Sequence, residues 1–494
     1  MARVVVVGAG VGGLAAGIRL AGLGHQVTVC ETAPVAGGKL GGFSRTTEAG
    51  TFTFDTGPTL LTLPHVFADL FTGGTPFDEL VGLHRLDPIA RYRFADGVTV
   101  ETTSDLTRQR QNFDNALGPG TGAAWQRVID RGAAIWRAVE QPVFGVALSA
   151  RTALGLGRRL ARPADLRAVA PGRTLRGLGR TLLTDPRQRM MLDRYATYEG
   201  SDPRRAPAAL AVVPYLEHKY GAWYVDGGLH RLAGALTARL VELGGALRLA
   251  TAVERIGVEG GRVAYVDLAG GERLPADVVV SDADARVLYG RLNTSRRRPT
   301  PPADSLSGVV LLLGVRGAHP RMAHHTVLYG TAPYDDEFDA VFGRLGAPRP
   351  VEDPVLYVNA PDDPSVAPAG HRSVYVLVNA PRHGPDAVDW TSPELTERYA
   401  QQLLQQLADR GVDLRPDLVS CDVRTPADLE RLTGAPGGAI YGQVQHGALA
   451  TLRRPHNRSL TRGLFLVGGS THPGGGLPLV ALSAAVVAGA IGAA

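Results

Sequence analysis

Short apolar runs alternate with stretches of helical spacing at both ends of this 494-residue chain. The first run, Arg3–Val7, is β-branched and leads straight into glycines, which is typical of a buried parallel strand. Residues 14–23 then place their apolar positions at helical spacing, and residues 26–31 form a second strand-like run. The chain therefore begins with a predicted βαβ unit.

The same alternation returns in two later blocks. In residues 227–284 it predicts elements in the following order: a helix at 229–243, strands near Leu247 and Val253, a hairpin at Gly260 and Gly261, and a strand at 276–281. Residues 463–467 predict a last strand, which a glycine-rich turn joins to a C-terminal helix.

These blocks predict a discontinuous α/β domain of the Rossmann type, made of residues 1–90, 226–294 and 445–494. The intervening residues, 91–225 and 295–444, would form a second, α+β domain. The arginine- and proline-rich stretch at 295–304 is predicted to be a surface linker between them.

Three glycines, Gly8, Gly10 and Gly13, follow the first strand in the pattern G-x-G-x-x-G. Such a turn is tight, lets the backbone approach a phosphate, and points a helix N-terminus at it. Glu31 ends the second strand 18 residues after Gly13, where its carboxylate can accept hydrogen bonds from ribose hydroxyls. The position of the motif between strand and helix predicts a dinucleotide site. The alternative is a glycine turn that serves only packing.

A second glycine turn, residues 37–40 (GGKL), follows Glu31 where a long cofactor would continue. This order resembles the flavin amine oxidase superfamily, in which a Gly-Gly-Arg turn follows the glutamate. Lys39 keeps the positive charge of that arginine but loses its bidentate phosphate geometry. Near the C-terminus, residues 471–478 (THPGGGLP) allow backbone to lie against a flat ring, and Pro478 suits the first position of the last helix. These features favour FAD over NAD.

Longer motifs carry a closer resemblance. They are FTFDTGPTLLTLP (52–64), PYLEHKYGAWYVDGGLHRL (214–232), RMAHHT (321–326), RPHNRS (454–459) and GLFLVGGSTHPGGGLP (463–478). With these motifs the chain resembles the bacterial phytoene desaturase-type carotenoid desaturases along nearly its whole length. Three further motifs are more similar to the hydroxycarotenoid 3,4-desaturase branch: ATYEGSDPRRAPA (196–208), YVLVNAPR (375–382) and GGAIYGQ (437–443).

The resemblance implies a set of FAD contacts. The ADP half would be held by Gly8, Ala9, Gly10, Gly12, Gly13 and Glu31, with Val253 near the adenine. The pyrophosphate and ribityl chain would pass over Gly38, Lys39 and Leu40, and the isoalloxazine would lie near Asp55, Gly57, Pro58 and Thr59. The C-terminal motif would add Gly468, Gly469, Gly476, Leu477 and Pro478. Gly469 stands where many flavin amine oxidases have a carboxylate for the ribityl hydroxyls, so that contact is left unassigned.

A carotenoid-like polyene has no carbonyl or amine, so the flavin must carry the chemistry. The expected reaction is hydride transfer from an allylic carbon to flavin N5, with a proton leaving the adjacent carbon, and a quinone or oxygen would reoxidise the cofactor. A general base is optional. His472 is the candidate, against a structural histidine in the turn, and Glu199 and the Glu217–His218 pair are weaker candidates. The alternatives are a flavin enzyme acting on another polyene or an amine, and a family isomerase.

Composition narrows the class of protein. Charged residues make up 20% and hydrophobic residues 44% of the chain, as in ordinary globular proteins. The net charge of +5 comes with no nucleic-acid-binding motif, so nucleic acid is not an expected partner. His324 and His325 have no ligand-rich segment to join them, and we expect no metal. Cys30 and Cys421, far apart in sequence, indicate a reducing compartment rather than a disulfide.

A basic segment predicts contact with a membrane. Residues 151–180 contain one acid, Asp165, and eight arginines interleaved with aliphatic residues, at positions 151, 158, 159, 162, 167, 173, 176 and 180. Since a carotenoid is insoluble in water, the enzyme must collect it from a bilayer, and residues 142–185 are predicted to rest on anionic headgroups. The N-terminal apolar run is too short for a signal peptide. We therefore expect a cytoplasmic, peripheral membrane protein; the alternative for the segment is a solvated basic face.

Overall fold

The computed structural model describes residues 1–140, 144, 154–155, 157–158, 161–292, 304–317, 319, 321–447 and 450–494. One half of the molecule is organised around a parallel sheet of five strands, hereafter the nucleotide sheet. The strands lie in the order Leu464–Leu466, Val278–Ser281, Arg3–Val7, Gln26–Cys30 and Ala246–Arg248. The valines of Arg3–Val7 are buried on both faces, which explains why this strand is an unbroken apolar run.

Three helices accompany this sheet, and the first packs against the other two: Val11–Gly22, Arg231–Glu242 and Leu477–Ile491. The first helix begins three residues earlier than the predicted 14–23. Its first turn contains glycines, which carry no apolar signal, and Gly10 caps it in an extended conformation. The predicted helix at 229–243 is observed as Arg231–Glu242.

The predicted hairpin at Gly260 and Gly261 is confirmed. It joins the strands Val253–Glu259 and Arg262–Leu268, and Arg273–Pro275 completes a three-stranded antiparallel sheet. Both glycines have left-handed backbone, with φ of 55° and 75°, as a two-residue hairpin turn requires.

A second, mixed sheet of seven strands forms most of the other half. In order, the strands are Leu418–Arg424, Ser307–Arg316, His371–Ala380, Leu356–Asn359, His325–Leu328, Ala90–Arg93 and Thr99–Thr102. Ser307–Arg316, the second strand in this order, is buried on both faces. Leu311 and its alternate neighbours pack toward the helix Pro393–Asp409, whereas Leu312 packs toward Phe52 and Phe54.

The remaining strands form two antiparallel pairs: Gly42–Thr47 with Gly50–Asp55, and Leu83–Arg85 with Trp223–Val225. The remaining α-helices are His65–Ala68, Phe77–Val81, Leu106–Leu117, Thr121–Val139, Pro163–Val169, Leu175–Leu182, Pro186–Arg194, Val212–Tyr220, Ala285–Val287, Tyr334–Phe342, Pro426–Thr433 and Ala450–Arg453. Single turns of 3₁₀-helix occur at Asp69–Phe71, Tyr195–Glu199, Ala208–Ala211, Arg415–Asp417 and Pro436–Gly438, and a π-helical turn at Leu288–Leu292.

The predicted α/β class with a Rossmann-like sheet is confirmed by this architecture. All five strands of the nucleotide sheet come from the three predicted blocks. The domain boundaries themselves stay a prediction, because residues 293–303, with most of the predicted linker, lie outside the described part of the chain. So do Arg151, Arg159 and much of the segment 142–185. No helix in the described ranges has both the length and the apolar character needed to cross a membrane.

Candidate cofactor site and active site

The turn between the first strand and the first helix packs backbone directly on backbone. Gly8 has left-handed φ, +99°, and a Cβ at Gly13 would lie only 2.0 Å from the carbonyl oxygen of Gly8. A side chain at Gly13 would therefore push the helix off the strand. This is the close helix–strand packing that the third glycine of a dinucleotide-binding turn supplies.

An acidic side chain that the sequence did not reveal, Asp282, faces the start of this helix. Backbone N–H groups of Gly10 and Gly13 donate to its carboxylate, and a Cβ at Gly10 would lie 2.4 Å from Asp282 Oδ2. Burial raises the pKa of Asp282 to about 7, even though these amides favour the charged form. The carboxylate thus satisfies two backbone amides at this helix N-terminus.

Glu31 lies where the sequence predicted a ribose acceptor. Its Oε2 accepts from the backbone N–H of Ala9 at 2.6 Å and its Oε1 from that of Ala33 at 2.8 Å. The carboxylate is fixed at the end of the second strand and keeps further lone pairs for hydroxyl donors. Thr251 N–H donates to the Glu31 carbonyl at 2.7 Å, which brings Val253, the predicted adenine neighbour, close to the same strand end.

The second glycine turn lies against the first. Gly37 N–H donates to Ala9 O at 2.8 Å, and a Cβ at Gly38 would lie 3.3 Å from the Cα of Gly10. Leu40 is buried, and its N–H closes the turn onto Gly37 O at 3.0 Å. The two turns that the sequence assigned to one cofactor are therefore neighbours.

The Lys39 side chain forms hydrogen bonds that the sequence did not predict. Its Nζ donates to the carbonyls of Ala439 at 2.9 Å and Ile440 at 2.6 Å. Burial lowers the pKa of the ammonium to about 8. Lys39 thus ties the second glycine turn to a distant segment of the chain, and its role toward the pyrophosphate stays a prediction.

Asp55, predicted to lie beside the isoalloxazine, holds the start of the helix Arg231–Glu242. Its carboxylate accepts from the backbone N–H of Leu229 at 2.9 Å and of His230 at 2.8 Å, and its Oδ1 lies 2.8 Å from His230 Nδ1. These bonds satisfy amide donors at the start of Arg231–Glu242, as a capping carboxylate does.

The stretch after Asp55 runs along the second turn. A Cβ at Gly57 would lie 1.9 Å from the carbonyl oxygen of Lys39, so only glycine allows this approach. Pro58 follows, and the Thr59 hydroxyl shares a hydrogen bond with the Tyr357 hydroxyl at 2.7 Å. Tyr357 belongs to the second sheet, so Thr59 lies where the two halves meet.

Residues 468–476 form a loop, hereafter the glycine loop, which leads from the last strand into the helix Leu477–Ile491. A Cβ at Gly12 would lie 2.9 Å from Gly468 N, so this loop touches the start of the first helix. At its other end, a Cβ at Gly475 would lie 2.5 Å from the ring of Tyr441. Gly476 and Leu477 then open the last helix, with Pro478 in its first turn as predicted.

A buried ion pair lies beneath the glycine loop. Arg454 Nη2 lies 3.1 Å from Glu199 Oε2, and Nη1 donates to Gly469 O at 2.8 Å. Arg454 is 1% exposed, so the charged pair is effectively inside the protein. Burial raises the pKa of Glu199 to about 7, although Arg454 and the Gly475 backbone act in the opposite direction. The RPHNRS motif contained Arg454, but nothing in it indicated Glu199 as the partner.

His472 is completely buried in the glycine loop. Its backbone N–H donates to Pro455 O at 3.0 Å, and Asn457 Nδ2 donates to its carbonyl at 2.8 Å. The RPHNRS segment therefore supports the loop from behind. A catalytic role for the imidazole stays a prediction.

Glu217 and His218, weaker acid–base candidates, are in different environments. Tyr195 O–H donates to Glu217 Oε2 at 2.7 Å, and burial raises the pKa of Glu217 to about 7. Burial also lowers the pKa of His218.

The adjacent His324 and His325 carry side chains of a type that binds metals. Burial lowers the pKa of His325 to about 4. Across the described part of the chain, no three His, Cys, Asp or Glu side chains converge as a metal site.

Glycines from four segments thus lie close to one another near the start of the first helix. The segments are residues 8–13, 37–38, 57 and 468–476. Gly8, Gly10 and Gly38 keep accessible backbone there, which a dinucleotide needs for close approach, and the Glu31 carboxylate lies at the predicted ribose end. The residues present fit FAD.

Comparisons with known proteins agree with a flavin cofactor. The profile of the family described as flavin containing amine oxidoreductase matches residues 11–491. The chain is 36% identical to a 4,4'-diapolycopene oxygenase of a Methylomonas species, covering 98% of this chain and 97% of that protein. It is 35% identical to a hydroxyneurosporene desaturase of Cereibacter sphaeroides, covering 99% and 97%. A zeta-carotene-forming phytoene desaturase of Myxococcus xanthus is 33% identical over 98% and 93%.

Two solved structures share the fold at low identity. A Methanosarcina mazei oxidoreductase superposes with a TM-score of 0.62 at 16% identity, covering 98% of each chain. The cyclohexylamine oxidase of Brevibacterium oxydans superposes with a TM-score of 0.60 at 15% identity, covering 99% of each.

The glycine contacts generate a test of the cofactor site. Gly10→Val should abolish FAD binding, because its branched side chain would collide with Asp282 and distort the turn between the first strand and the first helix. The measurement is the FAD-to-protein absorbance ratio after purification. Gly489→Val is the matched control, since Gly489 is helical, exposed and has open space around it. Full FAD retention in Gly10→Val would show that the site is misassigned.

Proposed function

The chain belongs to the flavin containing amine oxidoreductases and, within them, to the carotenoid desaturases, and from this premise we propose that it removes two hydrogens from an acyclic carotenoid to extend its conjugation. FAD is its cofactor. The observation that carries the proposal is the likeness to named carotenoid desaturases over nearly the whole of both chains. The relative named hydroxyneurosporene desaturase, at 35% identity, supports the hydroxycarotenoid branch.

When bound, FAD would accept a hydride from an allylic carbon, and the residues of this chain must hold the polyene and receive a proton. Glu199 suits the second task. Its Oε2 would lie 3.5 Å from a Cβ at Gly474, so its carboxylate reaches the glycine loop, where the ring is proposed to lie. A pKa of about 7 leaves it partly ionised at neutral pH and able to gain a proton. His472, in the same loop, is the second candidate for this role.

The amine alternative is less well supported. The Arg194 guanidinium lies in the interior with no ion-pair partner among the described residues. This positive charge would repel an alkylammonium substrate, whereas it would not repel a neutral polyene. An oxygenase activity has a specific observation in its favour, the name of the 36% identical relative, and is the second candidate function.

We also propose that the enzyme rests on the membrane surface. Leu154 and Leu166 are 57% and 45% exposed and lie among exposed arginines, among them Arg158 and Arg162. The adjoining helix Leu175–Leu182 borders an open cavity of about 600 Å³. Its lining contains one acid and five arginines: Thr174, Arg176, Gly177, Arg180, Arg204, Arg205, Asp335 and Arg344. This combination suits anionic headgroups. A quinone in the same bilayer, or oxygen, is the proposed electron acceptor.

Pigment chemistry tests the main proposal. Co-expression with enzymes that make a defined acyclic carotenoid should yield a product two hydrogens lighter with a red-shifted spectrum, measured by chromatography and mass spectrometry. Gly10→Val serves as the inactive control. A product heavier by oxygen would establish the oxygenase instead. An isomer of unchanged mass, formed without bleaching of the flavin under anaerobic conditions, would contradict desaturation.

Glu199 has a predictable pH effect. Turnover by the wild type should fall as pH drops through about 7, because the carboxylate gains its proton and can no longer accept one. Glu199→Gln should keep FAD but turn over about 10²-fold to 10⁴-fold more slowly, measured as anaerobic flavin bleaching. Glu337→Gln is the matched control, a buried carboxylate held by Val355 N–H and Asn379. If His472→Gln removed the pH step and Glu199→Gln did not, the roles would be reversed.

Flotation with liposomes tests the membrane surface. The wild type should float with vesicles that contain anionic lipid, and less so at high salt, because headgroup attraction is screened. Changing Arg158, Arg159 and Arg162 to Glu should abolish flotation, since each charge near the surface contributes about 1 kcal/mol. Arg110, Arg398 and Arg431, all exposed, form the control triple. Equal flotation of the two triple variants would exclude the basic segment as the docking surface.

A further inference from the structure

Arg194 is a cation in the interior whose partners are mainly phenol rings. It ends the helix Pro186–Arg194 and is 9% exposed. Among the described residues its Nη1 donates to the Tyr198 hydroxyl at 2.8 Å, and no carboxylate lies within ion-pair distance. Its guanidinium carbon lies 5.2 Å from the ring centres of both Tyr198 and Tyr357. A buried guanidinium is costly unless acceptors compensate it, so its retention here needs an explanation.

Two further tyrosines in the neighbourhood of this charge have hydroxyls without partners. The charge of Arg194 reaches Tyr329 and Tyr334. Both hydroxyl oxygens are buried and make no hydrogen bond with any described residue. Phenol hydroxyls in an interior normally find a partner, because leaving one unpaired costs the hydration it has lost. Arg194 and the tyrosines 198, 329, 334 and 357 are hereafter called the tyrosine cluster.

Three rings of the tyrosine cluster border an internal space. Tyr198, Tyr334 and Tyr357 lie deep in the protein, yet each keeps accessible surface. Deep side chains with accessible surface line a cavity rather than a closed core, so these rings can meet a bound molecule beside Arg194. The hydroxyl oxygens of Tyr329 and Tyr334 have almost no accessible surface, and they meet that molecule when their rings reorient.

This space adjoins the proposed flavin position. Arg194 immediately precedes the 3₁₀ turn Tyr195–Glu199, and Glu199 at its far end reaches the glycine loop. A turn of this length spans roughly 10 Å. On the other side, the Tyr357 hydroxyl bonds Thr59, which the sequence placed beside the isoalloxazine. The cluster thus lies one short step beyond the proposed site of reaction.

We propose that the tyrosine cluster binds an oxygen atom on the carotenoid, a hydroxyl or carbonyl near the end that is being desaturated, with Arg194 as the principal donor. This inference rests on the proposed function. A pure hydrocarbon brings no acceptor to this buried guanidinium, whose hydrogen bond among the described residues is to Tyr198, and it would leave two phenol hydroxyls unsatisfied. An oxygen accepts from Arg194 and from a phenol at once, and charged donors give the stronger hydrogen bonds. The same site then discriminates against the analogue that lacks the oxygen.

The test compares two acyclic carotenoids of equal length and conjugation, one hydroxylated at its end and one not. The purified FAD-loaded enzyme should prefer the hydroxylated substrate in kcat/KM, and Arg194→Met should lower that preference about tenfold or more, mainly through the KM of the hydroxylated substrate. Arg194→Lys should restore part of it. Arg239→Met is the matched control: Arg239 is 5% exposed and donates to the carbonyls of Leu70 and Thr72. In Arg239→Met, the ratio of kcat/KM between the hydroxylated and the non-hydroxylated substrate should equal that of the wild type.

A purely structural role for Arg194 has a different outcome. If Arg194→Met retained FAD and lost kcat/KM equally on both substrates, the proposal would be overturned. Should that variant not fold, Tyr334→Phe removes a single hydroxyl, and an unchanged preference ratio in it would likewise overturn the proposal. Binding measured by quenching of flavin fluorescence separates this inference from the proposed function. A wild type that binds the hydroxylated carotenoid more tightly but desaturates neither would refute the function and support the cluster.

Discussion

Everything in this structure depends on how closely backbone can approach backbone at the start of the first helix. Gly13 packs on the Gly8 carbonyl, Gly12 on the amide of Gly468, and Gly38 on the Cα of Gly10. A methyl group at Gly13 would push the first helix off the first strand, and one at Gly12 would push it off the glycine loop. The result is a turn in which Gly8, Gly10 and Gly38 keep accessible backbone, as a dinucleotide needs along its phosphates.

Buried charges then lock the two halves of the protein across that line. The Lys39 ammonium bonds the carbonyls of Ala439 and Ile440, and Arg454 joins Glu199 to the glycine loop. Burying these groups costs hydration, and their hydrogen bonds offset that cost only while every partner is in place. Such contacts stabilise one arrangement of the halves rather than the fold in general. They also place a titratable carboxylate at the loop where chemistry is proposed.

The same physical logic bears on the substrate. A long apolar chain binds by burial, which is not directional, so aromatic walls alone would let it slide. Directional groups are needed to set which carbon meets the flavin, and the polar atoms of the tyrosine cluster are of that kind. The exposed leucines and arginines of the basic segment would serve the earlier step, in which the substrate leaves a bilayer.

The sequence by itself determined the features whose signals are local. The apolar run at Arg3–Val7, the glycine spacing after it and the turn at Gly260 predicted the parallel strand, the helix and the hairpin, because backbone preferences act over a few residues. Helix ends were less well predicted, since the first turn at Val11 is largely glycine and carries no periodic pattern. Together with the family resemblance, these signals sufficed for the cofactor, and the residues assigned to contact it stay a prediction.

Only the tertiary structure decided which distant side chains meet. Nothing near Asp282 in the chain indicates that it faces Gly10 and Gly13. Lys39 and the carbonyl of Ile440 are 401 residues apart, and Glu199 and Arg454 are 255 apart. Tyr198 is a local neighbour of Arg194, whereas Tyr357 reaches the same guanidinium from a strand of the second sheet. Contacts of this kind follow from packing and burial, which bring together side chains that share no local spacing, so one sequence alone carries no periodic trace of them.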